Sequence, residues 1–124
     1  MDTFGSGRGG ILTITAQDIQ VIGGENGLTG LFADAESEST GDGGNLTITA
    51  QDIQLIGSDS RLSARASSSS TGNAGDLTIN TNMLALEDGA DVSASTYGEG
   101  NGGNLTVNAQ ELIQLIGTTA NTEY

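Results

Sequence analysis

The sequence predicts an all-β fold, a right-handed parallel β-helix: a solenoid of about three and a half triangular coils of roughly 31 residues each. Three observations predict it. The chain repeats itself four times. Within each repeat, apolar residues fall at every second position, the period of a strand with one buried face. Between those runs stand Gly, Ser, Asn and Asp, the residues that close turns.

In chain order, residues 1–8 (MDTFGSGR) read as an N-terminal tail that lacks the basic and apolar regions of a signal peptide. The β-helix spans residues 9–117. Its repeats are GGILTITAQDIQVIG from Gly9, GGNLTITAQDIQLIG from Gly43, AGDLTINTNMLALEDG from Ala74 and GGNLTVNAQELIQLIG from Gly102. Residues 118–124 read as a C-terminal tail or an incomplete coil. Taking the Leu of each Leu-Thr pair as origin (Leu12, Leu46, Leu77, Leu105), the offsets are 34, 31 and 28 residues. The second unit shows the expected three runs: Leu46 to Thr49, Ile53 to Ile56 and Leu62 to Ala66. The third run recurs from Leu31 to Ala35 and from Val92 to Thr96.

Near-identical repeats favour stacking like on like, each strand about 4.8 Å above its counterpart. Leu12, Leu46, Leu77 and Leu105 then form one inward column, and Ile14, Ile48, Ile79 and Val107 the next. Ile19, Ile53 and Leu84 line a second face. Leu31, Leu62 and Val92 line a third, with the small Ala33, Ala64 and Ala94 beside them. Length differences fall in turns, as in a solenoid. The first unit has about three extra residues around Glu25 to Gly30, and the third is shorter before Gly102. The extra residue near Glu111-Leu112 reads as a β-bulge. Period 2, β-branched content and Gly density argue against helix. A propeller blade needs about 40 residues and four strands, and a calcium β-roll needs a nine-residue Gly-Asp period that is not here.

Composition narrows function. The chain has 124 residues, with 16 Asp+Glu against 3 Lys+Arg and a formal net charge of −13. All three cations are arginines: Arg8, Arg61 and Arg65. Such a surface repels a phosphate backbone and an anionic bilayer, so neither nucleic-acid binding nor membrane insertion is expected. No His or Cys is present, which removes thiolate nucleophiles, imidazole bases and the usual zinc and iron sites. No cofactor or metal is implied. The high charge and Gly/Ser content point towards disorder, but the 35% of apolar residues cluster into β-branched runs. With only 3% aromatic residues, the core must be thin and aliphatic.

The polar positions admit competing readings. Asn45, Asp76 and Asn104 recur just before the origin Leu, which suggests a ladder of side chains bonding neighbouring backbone amides at a turn. The outward pairs Thr13/Thr15 and Thr47/Thr49, followed by Thr78/Asn80 and Thr106/Asn108, suggest β-propensity on a wet face. Their alternative is a surface that binds carbohydrate or ice. Gln20, Gln54 and Gln114 suggest a Gln stack. Asp34 and Arg65 share one aligned position, so an exposed cross-coil ion pair worth about 0–1 kcal/mol is expected. Asp34, Arg65 and Asp91 are the candidates for polysaccharide lyase or hydrolase chemistry, which ranks last because no aromatic sugar platform accompanies them. Glu87, Asp88 and Asp91 lack the spacing of a calcium loop.

GNGGNLTVNAQELIQLIG, preceded by DGADVSASTYGEG, resembles the repeats of filamentous haemagglutinin-like exoproteins of two-partner secretion systems, especially the Gly-rich cyanobacterial type. The resemblance runs from Gly9 to Gly117. It implies a right-handed parallel β-helix exported through an outer-membrane pore, and therefore an extracellular or cell-surface location. The secretion domain of that family is not in this sequence, so a fragment of a longer parent chain is expected. The functional expectation is a non-catalytic stalk of an adhesin. Its expected partners are neighbouring coils of that parent, or other copies through open ends, and glycans. Solenoids need about three units and capped ends. Neither terminal segment reads as an amphipathic cap, so the chain alone is expected to be marginal or self-associating.

Overall fold

The computed structural model describes residues 5–24 and 26–117. The expectations for most of the N-terminal tail, for the C-terminal tail and for Glu25 within the first-unit insertion lie outside the described residues. Among the described residues there is no helix, and the strands pair in parallel as a β-solenoid of about three turns. The first coil holds β1 (Ile11–Thr15), β2 (Asp18–Ile22) and β3 (Thr29–Phe32). The second holds β4 (Asn45–Thr49), β5 (Asp52–Ile56) and β6 (Ser60–Ser63). The third holds β7 (Leu77–Glu87) and β8 (Asp91–Ser93), and β9 (Leu105–Ile116) opens the fourth.

The stacking is like on like. Leu12 pairs with Leu46, Leu46 with Leu77, and Leu77 with Leu105. Ile14, Ile48, Ile79 and Val107 follow in the same register. Ile19, Ile53 and Leu84 form the second column, and Leu31, Leu62 and Val92 the third.

The expected separation into three runs fails in the later coils, where the first two runs fuse into the single strands β7 and β9. The result is two sheets rather than three: β1-β4-β7-β5-β2 with β9 on β7, and β3-β6-β8. The reason lies at the corner. Backbone amides of both Gln51 and Asp52 donate to the Gln17 carbonyl, and those of Asn82 and Met83 donate to that of Gln51. Pairing therefore passes round the bend. The side chains mark the bend differently: Ala50 and Thr81 are buried, the next two residues of each coil face outward, and Ile53 and Leu84 turn in again. Thr81 completes the corner: its hydroxyl lies 2.9 Å from both the Gln51 and the Met83 carbonyl oxygens, which share its one proton. In β9 the register shifts between Thr81 and Met83, which oppose Ala109 and Leu112, so the extra residue of the fourth unit is a bulge.

The core is a thin column of Leu46, Ile48, Ile53, Leu55, Leu62, Leu77 and Ile79, closed on the third face by Ala33 and Ala64. Each large aliphatic side chain buried there contributes about 1.5–3 kcal/mol. Glycine sets the coil spacing at one turn. A Cβ on Gly75 would run into the Gly44 carbonyl oxygen, and one on Gly103 into that of Gly75. No rotamer relieves a clash between Cβ and backbone, so these positions must be glycine for the coils to sit one strand-spacing apart.

Candidate functional site: the polar ladders

Asn45, Asp76 and Asn104 are in consecutive coils and form the expected turn ladder. The Asp76 amide donates to Asn45 Oδ1 at 2.9 Å. The Asn104 amide and Nδ2 donate to Asp76 Oδ1 at 2.8 and 3.1 Å. Sequence reasoning missed a second rail three residues upstream. The Asn73 amide and Nδ2 donate to Asp42 Oδ1 at 2.9 and 3.1 Å, and the Asn101 amide to Asn73 Oδ1 at 2.8 Å. The signal was present as a four-residue word with Asn or Asp at each end: DGGN, NAGD and NGGN at 42–45, 73–76 and 101–104. The second member of each word abuts the origin Leu and is easily seen; the first sits inside the turn.

The first coil reads RGGI at the same place, so Arg8 and Ile11 stand where the rails would continue. Arg8 Nη2 instead reaches Asp42 Oδ2 at 3.2 Å. The Asn73 backbone N–H, above all, holds the Asp42 carboxyl below its ordinary 3.8; loss of solvation, the next largest influence, opposes it, and the Arg8 charge adds to the lowering. Between the rails runs a half-open trough of 270 Å³ with Gly9, Gly10, Gly43 and Gly75 in its lining. Of its side-chain acceptors, Oδ1 of Asp42, Asn45, Asn73 and Asp76 is in each case engaged by the next coil.

The outward columns behave similarly. Thr13, Thr47, Thr78 and Thr106 stack as four threonines in register. Thr15 and Thr49 give way to Asn80 and Asn108, where Asn108 Nδ2 donates to Asn80 Oδ1 at 2.9 Å. Gln20 Nε2 donates to Gln54 Oε1 at 2.9 Å. The expected Gln stack stops there, because Ala85 stands between Gln54 and Gln114 and breaks the chain of amides.

The third face corrects two expectations. The Asp34–Arg65 pair is not an exposed ion pair. Asp34 is buried, its Oδ1 accepts from the Ser63 hydroxyl at 2.6 Å and the Arg65 amide at 2.8 Å, and its Oδ2 lies 3.5 Å from Arg65 Nη2. The coil alignment stacks residue 34 on residue 65. Nor do Asp34, Arg65 and Asp91 converge. Asp91 pairs with Arg61, Oδ2 to Nε at 3.1 Å. The Arg61 N–H points off that line, so the contact is one of charge rather than a hydrogen bond. Two rungs and four residues separate Asp34 from Asp91, on the order of 16 Å, beyond the roughly 5–9.5 Å of paired glycosidase carboxylates. Tyr97, which sequence reasoning did not single out, meets Arg65 with its ring centre 5.9 Å from the guanidinium carbon. It sits in a turn, where no periodicity marks it. Among the described residues no three acidic side chains, Glu87, Asp88 and Asp91 included, come together as a metal-holding group.

No protein-family model, curated protein or solved structure matches the chain.

Proposed function

We propose that the chain is a non-catalytic structural segment of a secreted or surface-displayed adhesin, a stalk that gains length by adding coils. One observation carries the reading: Asn, Asp and Gln side chains that recur from coil to coil bond the neighbouring coil. Asp42, Asn45, Asn73, Asp76, Asn80 and Gln54 all accept hydrogen bonds from the rung beside them. Such a surface is built to continue itself. The resemblance to filamentous haemagglutinin-like repeats supports display outside the cell, and the strongly acidic surface supports solubility of an extended stack.

The test is to insert one, two or three further copies of residues 43–73 after Asn73. The stalk reading expects the longest dimension in small-angle scattering to grow by about 5 Å per inserted coil, with rising melting temperature. Loss of β-signal, or a length that does not change, overturns it. The unbroken column Thr13, Thr47, Thr78 and Thr106 favours a second reading, direct recognition of carbohydrate or ice. Binding on a glycan array or in an ice-recrystallisation assay that Thr47→Leu abolishes, with the fold intact, replaces the stalk reading with that one.

A further inference from the structure

The two ends of the solenoid are complementary. At the fourth coil, the inward columns surface: Leu105, Ile113 and Leu115 are 45–70% exposed, and β9 offers a strand edge of 12 residues. At the first coil, Leu12, Ile14 and Ile19 of the same columns are only half-buried, and Ile11 is exposed. We propose that the fourth-coil end of one molecule receives the first coil of a second copy, in the register the coils use internally. The inference rests on the stacking reading above and adds a partner to it.

Four observations select that partner. The internal register, used without change from β1 to β4 to β7, continues naturally: Leu105 over Leu12, Val107 over Ile14 and Ile113 over Ile19. The bulge does not prevent this, since β9 already accommodates it against an unbulged strand. The rails have a direction, each Asn or Asp oxygen accepting from the amide of the following coil. Asn101 and Asn104 therefore present oxygens where a following coil would place amides. In the first coil the Gly9 amide donates to Asp42 O of the second coil. At the position equivalent to Arg8, the Asn73 and Asn101 amides donate to the preceding coil, which places the Arg8 amide towards a coil before the first. Finally, Arg8, with its side chain 83% exposed, would lie over Asn101, two residues from Glu99.

An association of this kind is heterologous and does not close, so it yields open chains. Each copy carries a net charge of −13, so repulsion opposes assembly at low salt and screening favours it. An interface held by ion pairs would respond in the opposite sense.

The double variant Thr13→Cys/Thr106→Cys tests the register. The native chain has no cysteine. Stacked as proposed, residues 13 and 106 of two copies face each other across one rung, about 4.8 Å, within the Cα range of a disulfide. Within one molecule they are three rungs apart, about 14 Å, beyond it. Mild oxidation is expected to give a ladder of covalent dimers, trimers and longer chains, stronger in 0.5 M than in 0.02 M NaCl (roughly) as the Debye length shrinks. Neither single variant should cross-link. Sedimentation of the unmodified protein should show mass rising with concentration and with salt. A double variant that stays monomeric, or a Thr106→Cys single variant that dimerises, overturns the proposal. If inserted coils still lengthen the rod in that case, the stalk reading survives and only head-to-tail assembly is lost.

Discussion

The second and fourth coils are written in almost the same residues, GGNLTITAQDIQLIG and GGNLTVNAQELIQLIG, yet they are buried very differently. Leu55 has no exposed surface, and its counterpart Leu115 is 70% exposed. Both form parallel strands in the same register. The difference teaches that local pattern and one neighbouring rung are enough to define a strand, while the core requires a rung on each side. Stability in this molecule is therefore a property of position along the stack, as the nearest-neighbour picture of solenoids expects.

The largest expected effect comes from paired glycine substitutions. Gly75→Ala drives a Cβ into the Gly44 carbonyl at the junction of the second and third coils, and should abolish cooperative unfolding at 25 °C by circular dichroism. Gly103→Ala makes the same clash one rung later, against Gly75, and should only detach the fourth coil. Equal damage from both would break the comparison.

Next come the core truncations. Leu55→Ala should cost about 2–5 kcal/mol in urea unfolding, the range for a filled core site. Leu115→Ala should cost less than about 1 kcal/mol, since little of its surface leaves water in the dilute monomer. Smaller again is loss of a ladder acceptor. Asn45→Ala leaves the Asp76 amide without its partner and should cost about 1 kcal/mol, whereas Asn104→Ala, at the last rung, should change stability by a few tenths.

The smallest effect is one of pH. Asp42 has its carboxyl lowered by the Asn73 amide and by Arg8, so it favours the folded state while ionised. That contribution is present above 3.8 and is lost as pH falls through the lower folded value. Asp42→Asn retains an oxygen acceptor for the rail but does not titrate. Measured as the difference in melting temperature between wild type and variant, the wild-type advantage should be constant from pH 7 to about 5 and shrink below the ordinary carboxyl range.

Much of this architecture was legible in the repeats. Leu12, Leu46, Leu77 and Leu105 announce the register because each begins the same word, and stacking puts like over like. The fused strands β7 and β9 were not legible, because a corner that keeps its backbone pairing looks, in side-chain pattern alone, like a break between strands. The Asp42-Asn73-Asn101 rail hid among turn residues, where Asn and Asp are expected whatever their role. Asp34 was read as exposed because alternation assigns it outward; it is buried with its carboxylate bonded to Ser63 and Arg65, contributed by the next coil. In each case the missing information was the identity of the neighbour across the rung.

The central claim is tested most directly by contacts between methyl groups of Leu46, Leu77 and Leu105 in selectively labelled protein, observed by nuclear Overhauser spectroscopy at dilution. Direct stacking predicts strong Leu46–Leu77 and Leu77–Leu105 contacts, and none of similar strength between Leu46 and Leu105, which stand two rungs or about 9.6 Å apart. Absence of the Leu46–Leu77 contact, or backbone contacts of antiparallel hairpins in its place, would contradict the stack and everything built on it.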